Sequence, residues 1–239
     1  MSSICSPSSN LTIVFDAVGT LLYARPAVTE VYLDIATRLG WSGSRDDIES
    51  RFRASFARLS DRDTDFVTNE PVQRKRWRTL VGKVFEELPE AEVDCIFEQL
   101  WLHFAQPAAW EIFPDALAAL ELCRERGVRW CIGSNFDGRL HRVLAGHPDF
   151  ADCLHVFCSS EVGFDKPAIE FFRGVEQTLG QNSGQLLMIG DDLRLDAVAA
   201  EQAGWIGLWL NRSPQVSHPG DLNLPPQLQS LQELEPWLM

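Results

Sequence analysis

Apolar and polar residues follow two different rhythms along this chain. Across residues 11–22, LTIVFDAVGTLL, an apolar run rich in β-branched and aromatic residues stops at a single carboxylate, Asp16, and continues as Ala17-Val18-Gly19-Thr20. A run this short that ends near a Gly reads as a strand buried on both faces, with Asp16 at its C-terminal tip. From Ala27 the period becomes helical: Val28, Val31, Tyr32, Ile35 and Leu39 share one face, and Gly40 stops it. Ile48, Phe52, Phe56 and Leu59 repeat the pattern behind Asp46 and Asp47, which suit a first helical turn. Pro71 opens a third segment with Trp77, Val81, Val84, Phe85 and Leu88 on one side, and Val93, Ile96, Phe97, Leu100 and Phe104 define a fourth. Four amphipathic helices in succession predict a small bundle inserted after the first strand.

Beyond Gln106-Pro107 the pattern alternates. Strands are predicted over residues 128–133, 154–158, 186–189 and 205–210, separated by helices over 114–126, from about 138, from Pro167, and over 195–203. This alternation predicts an α/β fold, a Rossmann-like parallel sheet of five strands with helices on both faces. The expected division is a core from residues 1–22 and 107–239 and a helical insert from 23–106. Residues 1–10 are Ser-rich and read as a loose leader, and the proline-bearing tail ends in a helical turn or two over 228–234.

With 239 residues, 45% hydrophobic and 23% charged, the chain has the composition of an ordinary globular protein. The formal net charge of −13 argues against nucleic acid or an anionic membrane as main partner. No basic stretch followed by an apolar one opens the chain and no run approaches a membrane span, so no export signal or anchor is expected. The six cysteines are scattered without metal-ligand spacing, which together with these features predicts reduced thiols and a cytoplasmic location.

Taken alone, Asp16 could cap the next turn or serve as nucleophile or metal ligand. Three downstream stretches bear on that choice: Cys131-Ile132-Gly133-Ser134-Asn135, Lys166-Pro167, and Met188-Ile189-Gly190-Asp191-Asp192 with Asp196. Asp191-Asp192 also suits a helix N-cap. In this order and spacing the four stretches resemble the haloacid dehalogenase-like hydrolase superfamily, in its subfamily with a helical cap. The segments SNFDGRL, SSEVGFDKPAIEFF and IGDDLRLDAVAAEQAG look most like the rhythmically-expressed-gene-2-like group.

The resemblance implies that the Asp16 strand lies between those of Ser134 and Asp191, and that Asp16 attacks phosphorus to form an aspartyl-phosphate. It implies that Ser134, Asn135, Thr20 and backbone N–H groups hold the phosphoryl oxygens and that Lys166 neutralises nucleophile and phosphate together. Mg²⁺ would be bound by Asp16, the Val18 carbonyl and Asp191, with Asp192 and Asp196 acting through water or orienting neighbours. The helices would form a lid, with Tyr23, Ala24 and Arg25 at its hinge, over a small phosphorylated substrate, in a monomer or homodimer.

One position departs from the family pattern. Most phosphatases of the superfamily carry a second Asp two residues after the first, and Val18 stands there. A Val cannot protonate a leaving group. The expectation is therefore a Mg²⁺-dependent phosphatase-like hydrolase of low or specialised activity. The alternatives are a phosphate-binding protein without turnover, a 2-haloacid dehalogenase, or a phosphonate-cleaving enzyme using Lys75 or Lys83. The basic run Arg74-Lys75-Arg76-Trp77-Arg78 reads as a solvated helix face or a substrate anion site.

Overall fold

Four consecutive buried residues, Thr12–Phe15, form strand β1 at the centre of the molecule. The computed structural model describes residues 11–60, 66–213 and 224–238. The expected leader, over residues 1–10, lies outside them. After β1 the chain forms β2 (Leu22–Ala24) and four helices, α1 (Val28–Arg38), α2 (Arg45–Ser60), α3 (Glu70–Val84) and α4 (Glu90–His103). It then passes through β3 (Trp110–Ile112), α5 (Pro114–Arg126), β4 (Arg129–Ser134), α6 (Arg139–Ala145) and β5 (Val156–Cys158). The remainder is α7 (Ser159–Val162), α8 (Ile169–Leu179), β6 (Leu186–Gly190), a π-helical turn (Leu193–Val198) leading into α9 (Ala199–Gln202), β7 (Ile206–Leu210), β8 (Gln227–Leu228) and a closing 3₁₀ segment (Leu231–Trp237).

The main sheet runs β5-β4-β1-β6-β7-β8, and every pairing in it is parallel. Phe15 stands opposite Ile132 on one side and Ile189 on the other, so the tips of β1, β4 and β6 end level. Their residues are almost wholly buried because helices cover both faces, which is why these strands read as unbroken apolar runs.

The sheet has six strands where five were expected. The sixth, β8, begins where helical turns were predicted: the Trp209 and Asn211 N–H groups donate to the Pro226 and Leu228 carbonyls. A segment preceded by Pro225-Pro226 lacks donors for a central position, so it can join only as an edge. Strand β5 starts at Val156 rather than 154: Leu154 donates its N–H to the Trp130 carbonyl at 3.0 Å but is half exposed, and residue pairing with β4 begins with Val156 opposite Ile132.

The helices α1–α4 enclose their own apolar cluster, with Ile48, Leu80, Val84, Phe85 and Ile96 nearly inaccessible. Burying each such side chain contributes about 1.5–3 kcal/mol. Asn69 caps α3 by accepting from the Val72 N–H at 3.0 Å, and Pro71 is the second residue of the helix, in the opening turn where it was expected. The passages into and out of the helices pair as an antiparallel ribbon, Leu22 with Ile112 and Ala24 with Trp110, so the expected hinge at Tyr23, Ala24 and Arg25 is a β-ribbon. Among the described residues the five cysteines are free, and no helix is long and apolar enough to cross a membrane.

Candidate active site

Asp16 follows β1 directly, and its N–H donates to the Ile189 carbonyl at 2.8 Å, which extends the ladder by one residue and fixes the carboxylate at the sheet's edge. The chain then turns through Gly19 at φ +94°, a conformation that suits glycine. A Cβ at Gly19 would lie 2.3 Å from an Asp191 oxygen, so the absence of a side chain is what lets the β6 carboxylate approach this loop. Thr20, expected to hold phosphate, is fully buried and donates its hydroxyl to Asp191 Oδ1 at 3.3 Å. It stands behind the Asp191 carboxylate and lines no part of the cavity, because the turn at Gly19 directs the chain back into the core.

Lys166 arrives from the loop before α8 and is buried. Its Nζ donates to Asp16 Oδ1 at 2.9 Å, to the Gly133 carbonyl at 2.9 Å and to Asp196 Oδ1 at 2.5 Å, using all three ammonium protons. Burial alone would lower its pKa, but Asp16 and Asp196 more than offset that and hold it above the ordinary lysine value. Asn135, expected to touch phosphate, has both ends of its amide occupied by the Lys166 backbone: Nδ2 donates to its carbonyl at 2.8 Å and Oδ1 accepts its N–H at 2.7 Å. It lines the cavity and positions the lysine loop.

Asp16, Asp191 and Asp196 each offer an oxygen within 4.8 Å of the others. Asp196, expected at one remove from this cluster, is a member of it, since the π-helical turn points its side chain inward and Gly190 has no Cβ to obstruct it. Asp192 instead caps that turn, accepting from the Arg194 and Leu195 N–H groups at 2.9 and 2.8 Å. Three carboxylates face one ammonium here, so full ionisation would leave two negative charges uncompensated; Asp16 and Asp196 are buried and Asp191 opens to the cavity. Burial, then the neighbouring charges, push the Asp191 carboxyl well above the ordinary range, and burial does the same to Asp196 against the pull of Lys166. A donor set of hard oxygens with this uncompensated charge fits a divalent cation such as Mg²⁺.

Ser134 ends β4, is buried and lines the cavity, and among the described residues its hydroxyl has no hydrogen-bond partner. Val18 lines the same cavity and is 38% exposed. The cavity, of about 380 Å³, lies between the sheet edge and the helices. Arg139, absent from the sequence expectations, belongs to its wall: the guanidinium lies 3.4 Å from the Trp101 ring centroid and pairs with Asp137. The signal for it was weak, because Asp137-Gly138-Arg139 reads as an ordinary turn into a helix.

The basic run on α3 is mostly ion-paired, and of its residues Trp77 lines the cavity while Arg74, Lys75, Arg76 and Arg78 do not. Arg74 meets Glu98 at 2.5 Å, Arg78 meets Asp94 at 2.8 Å, and Arg76 meets the buried Asp165 at 2.6 Å. Lys75 and Lys83 are exposed and line no part of the cavity, so the phosphonate-cleaving alternative lacks its lysine.

A family model described as haloacid dehalogenase-like hydrolase matches residues 11–204. The haloacid dehalogenase-like hydrolase domain-containing protein 3 of Danio rerio is 28% identical over 93% of this chain and 93% of its own length. Among solved structures, the HAD phosphatase of Thermococcus onnurineus superposes with a TM-score of 0.65 at 23% identity, over 95% of this chain and 97% of that one. A 2-haloacid dehalogenase from Pseudomonas syringae gives 0.64 at 19%, over 95% and 97%. The HAD-like protein YfnB of Bacillus subtilis, bound to magnesium, gives 0.73 at 18%, over 97% and 99%.

Proposed function

Because the chain belongs to the haloacid dehalogenase-like hydrolases, we propose that it hydrolyses phosphomonoesters with Mg²⁺, using Asp16 as nucleophile. The observation that carries this reading is the cluster of Asp16, Asp191 and Asp196 around one ammonium. Such a site binds a cation readily and a free anion poorly. A 2-haloacid is an anion that would enter without a cation and gain little from three carboxylates, which favours the phosphoester. Magnesium, when bound, would neutralise charge between the Asp16 carboxylate and the phosphoryl group.

Asp16 Oδ2 is the oxygen that Lys166 leaves uncommitted, since the lysine engages Oδ1. Its attack forms an Asp16 O–P bond as the ester P–O bond breaks and the electron pair leaves with the alcohol oxygen. Lys166 holds the nucleophile in place and offsets negative charge on the transferring group. Ser134 is available to donate its hydroxyl to a phosphoryl oxygen. Water then cleaves the aspartyl-phosphate, releasing phosphate and regenerating Asp16. Val18 supplies no proton to the departing oxygen, so the account expects good leaving groups to react much faster than poor ones.

A panel of phosphorylated metabolites and aryl phosphates, with Mg²⁺ and with chelator, tests the proposal. Chelator-sensitive phosphate release that Asp16→Asn abolishes supports it. Chelator-independent halide release from 2-haloacids would replace it with dehalogenation.

A further inference from the structure

The cavity above Asp16 has its carboxylates at the floor and mostly apolar side chains above them. Tyr32, Phe56, Trp77 and Trp101 from the helices, with Trp110 and Phe136, give the same space an aromatic wall. Amphipathic helices normally turn such residues into a core, and here part of that stripe faces open space continuous with the catalytic floor. At about 380 Å³ the space falls within the range of ordinary small-molecule sites.

Charge decides what this space can take. Among the described residues lining it, the cations are Lys166 and Arg139, and both are committed. Arg139 donates Nε and Nη2 to Asp137 Oδ1 and Oδ2, each at 2.7 Å, and Nη1 to the Trp101 carbonyl at 3.3 Å. Asp137 is fully buried, so the pair is neutral as a unit and the guanidinium presents its flat face to Trp101. A second anionic group on a substrate would find no free cation there and would face Asp191 and Asp192 below. Tyr32 is a neutral donor in the wall: it is 3% exposed, its phenol is pushed above the usual value by burial, and its hydroxyl has no partner among the described residues.

We infer that the cavity receives the organic part of a phosphomonoester whose alcohol is an uncharged aromatic or bulky apolar group, held by stacking on the aromatic wall. This rests on the phosphomonoester reading of the floor. It excludes small phosphates that carry a second anionic group on the organic part, whose charge the wall cannot neutralise. Rigid aromatic walls suit such a ligand because little side-chain freedom is lost when it binds.

Calorimetry on the Mg²⁺-loaded protein with non-hydrolysable phosphonates tests the inference without requiring turnover. Methylphosphonate, benzylphosphonate and naphthylmethylphosphonate should bind in rising order, with a gain on the order of 10-fold or more from first to last. Phosphonoacetate should bind no more tightly than methylphosphonate. Phe56 is 44% exposed and outside the tightly packed core, so Phe56→Ala should fold normally. It should reduce the aryl gain while leaving methylphosphonate affinity unchanged. Equal affinity for methylphosphonate and naphthylmethylphosphonate, or tighter binding of phosphonoacetate, would overturn the inference and leave the phosphate site standing. Binding of none of them, with Mg²⁺ bound, would overturn the phosphomonoester reading and the inference together.

Discussion

Arg76 on α3 places a guanidinium nitrogen 2.6 Å from Asp165, the residue immediately before Lys166 in the chain. Asp165 is 1% exposed and also accepts from Gln73 at 2.7 Å, and its N–H donates to the Phe66 carbonyl at 2.8 Å. The helical insert is thus joined to the segment that carries the central lysine. Arg76→Ala would leave a buried carboxylate without its cation and should cost about 2–3 kcal/mol, less than a fully buried pair because Arg76 retains some exposure. Thermal unfolding checks this: the midpoint should fall by several degrees, and an unchanged midpoint would show that the pair does not hold the two parts together.

Asp191→Asn removes one of three carboxylates from a site whose excess charge is its means of attracting a cation. Mg²⁺ affinity should fall at least about 10-fold. Gly19→Ala should act in the same direction, because the added Cβ would collide with the Asp191 carboxylate and force it away. Calorimetric titration of the two variants against the unmodified protein decides the matter, and equal affinities would remove Asp191 from the metal site.

Asp115 and Arg212 form a clamp behind the loop that follows Asp16. Arg212 donates to the Thr20 carbonyl at 2.8 Å and pairs with Asp115, which also accepts from the Leu231 N–H at 2.9 Å and the Ser230 hydroxyl at 3.0 Å. Burial would raise the Asp115 pKa, but these bonds hold it below the ordinary carboxylate range. A depressed folded-state value means the unfolded chain binds the proton more readily. The clamp's stability is therefore fully present above the usual Asp value of about 3.9 and is lost as pH falls through the lower folded value. Asp115→Asn should lower stability at neutral pH by about 1–3 kcal/mol. Its stability should also decline less steeply below pH ~4 than that of the unmodified protein. Denaturant titrations across that range supply the comparison, and parallel declines would refute the clamp.

Much of this site was legible because buried parallel strands write themselves as short apolar runs. Asp16, Ser134 and Asp191 each stand where such a run stops, and the sheet brings them to one edge. Sequence order could not show which way neighbouring side chains turn. Thr20 and Asn135 carry suitable groups at suitable spacings, yet one stands behind Asp191 and the other holds the Lys166 backbone. Asp192 and Asp196 were indistinguishable as acids following β6 until the π-helical turn directed one to cap and the other inward. The helical stripes that carry Phe52 and Phe56 on α2 and Trp77 on α3 looked the same whether they packed a core or lined a cavity, since periodicity reports which face a residue takes and not what it meets. Strand β8 was missed because two residues after a proline pair carry no period at all.

Val18 stands at the place where phosphatases of the superfamily carry an acid, and its exposure to the cavity leaves room for one. Positioned proton transfer is worth ~10²–10⁴-fold. Val18→Asp should raise Mg²⁺-dependent hydrolysis, and most for substrates with poor leaving groups, where protonation matters most. Steady-state rates on alkyl and nitrophenyl phosphates give the comparison. A folded, Mg²⁺-binding variant with no gain on either would show that Val18 does not stand in for a catalytic acid.

In the proposed reaction Asp16 becomes covalently attached to phosphorus. Rapid acid quench of the protein with an aryl phosphate, followed by peptide mass mapping, reads this directly. The predicted result is a phosphoryl group on Asp16 that requires Mg²⁺ and is absent in Asp16→Asn. Steady phosphate release with Asp16 unmodified at every quench time, or with the phosphoryl group on another residue, would contradict it.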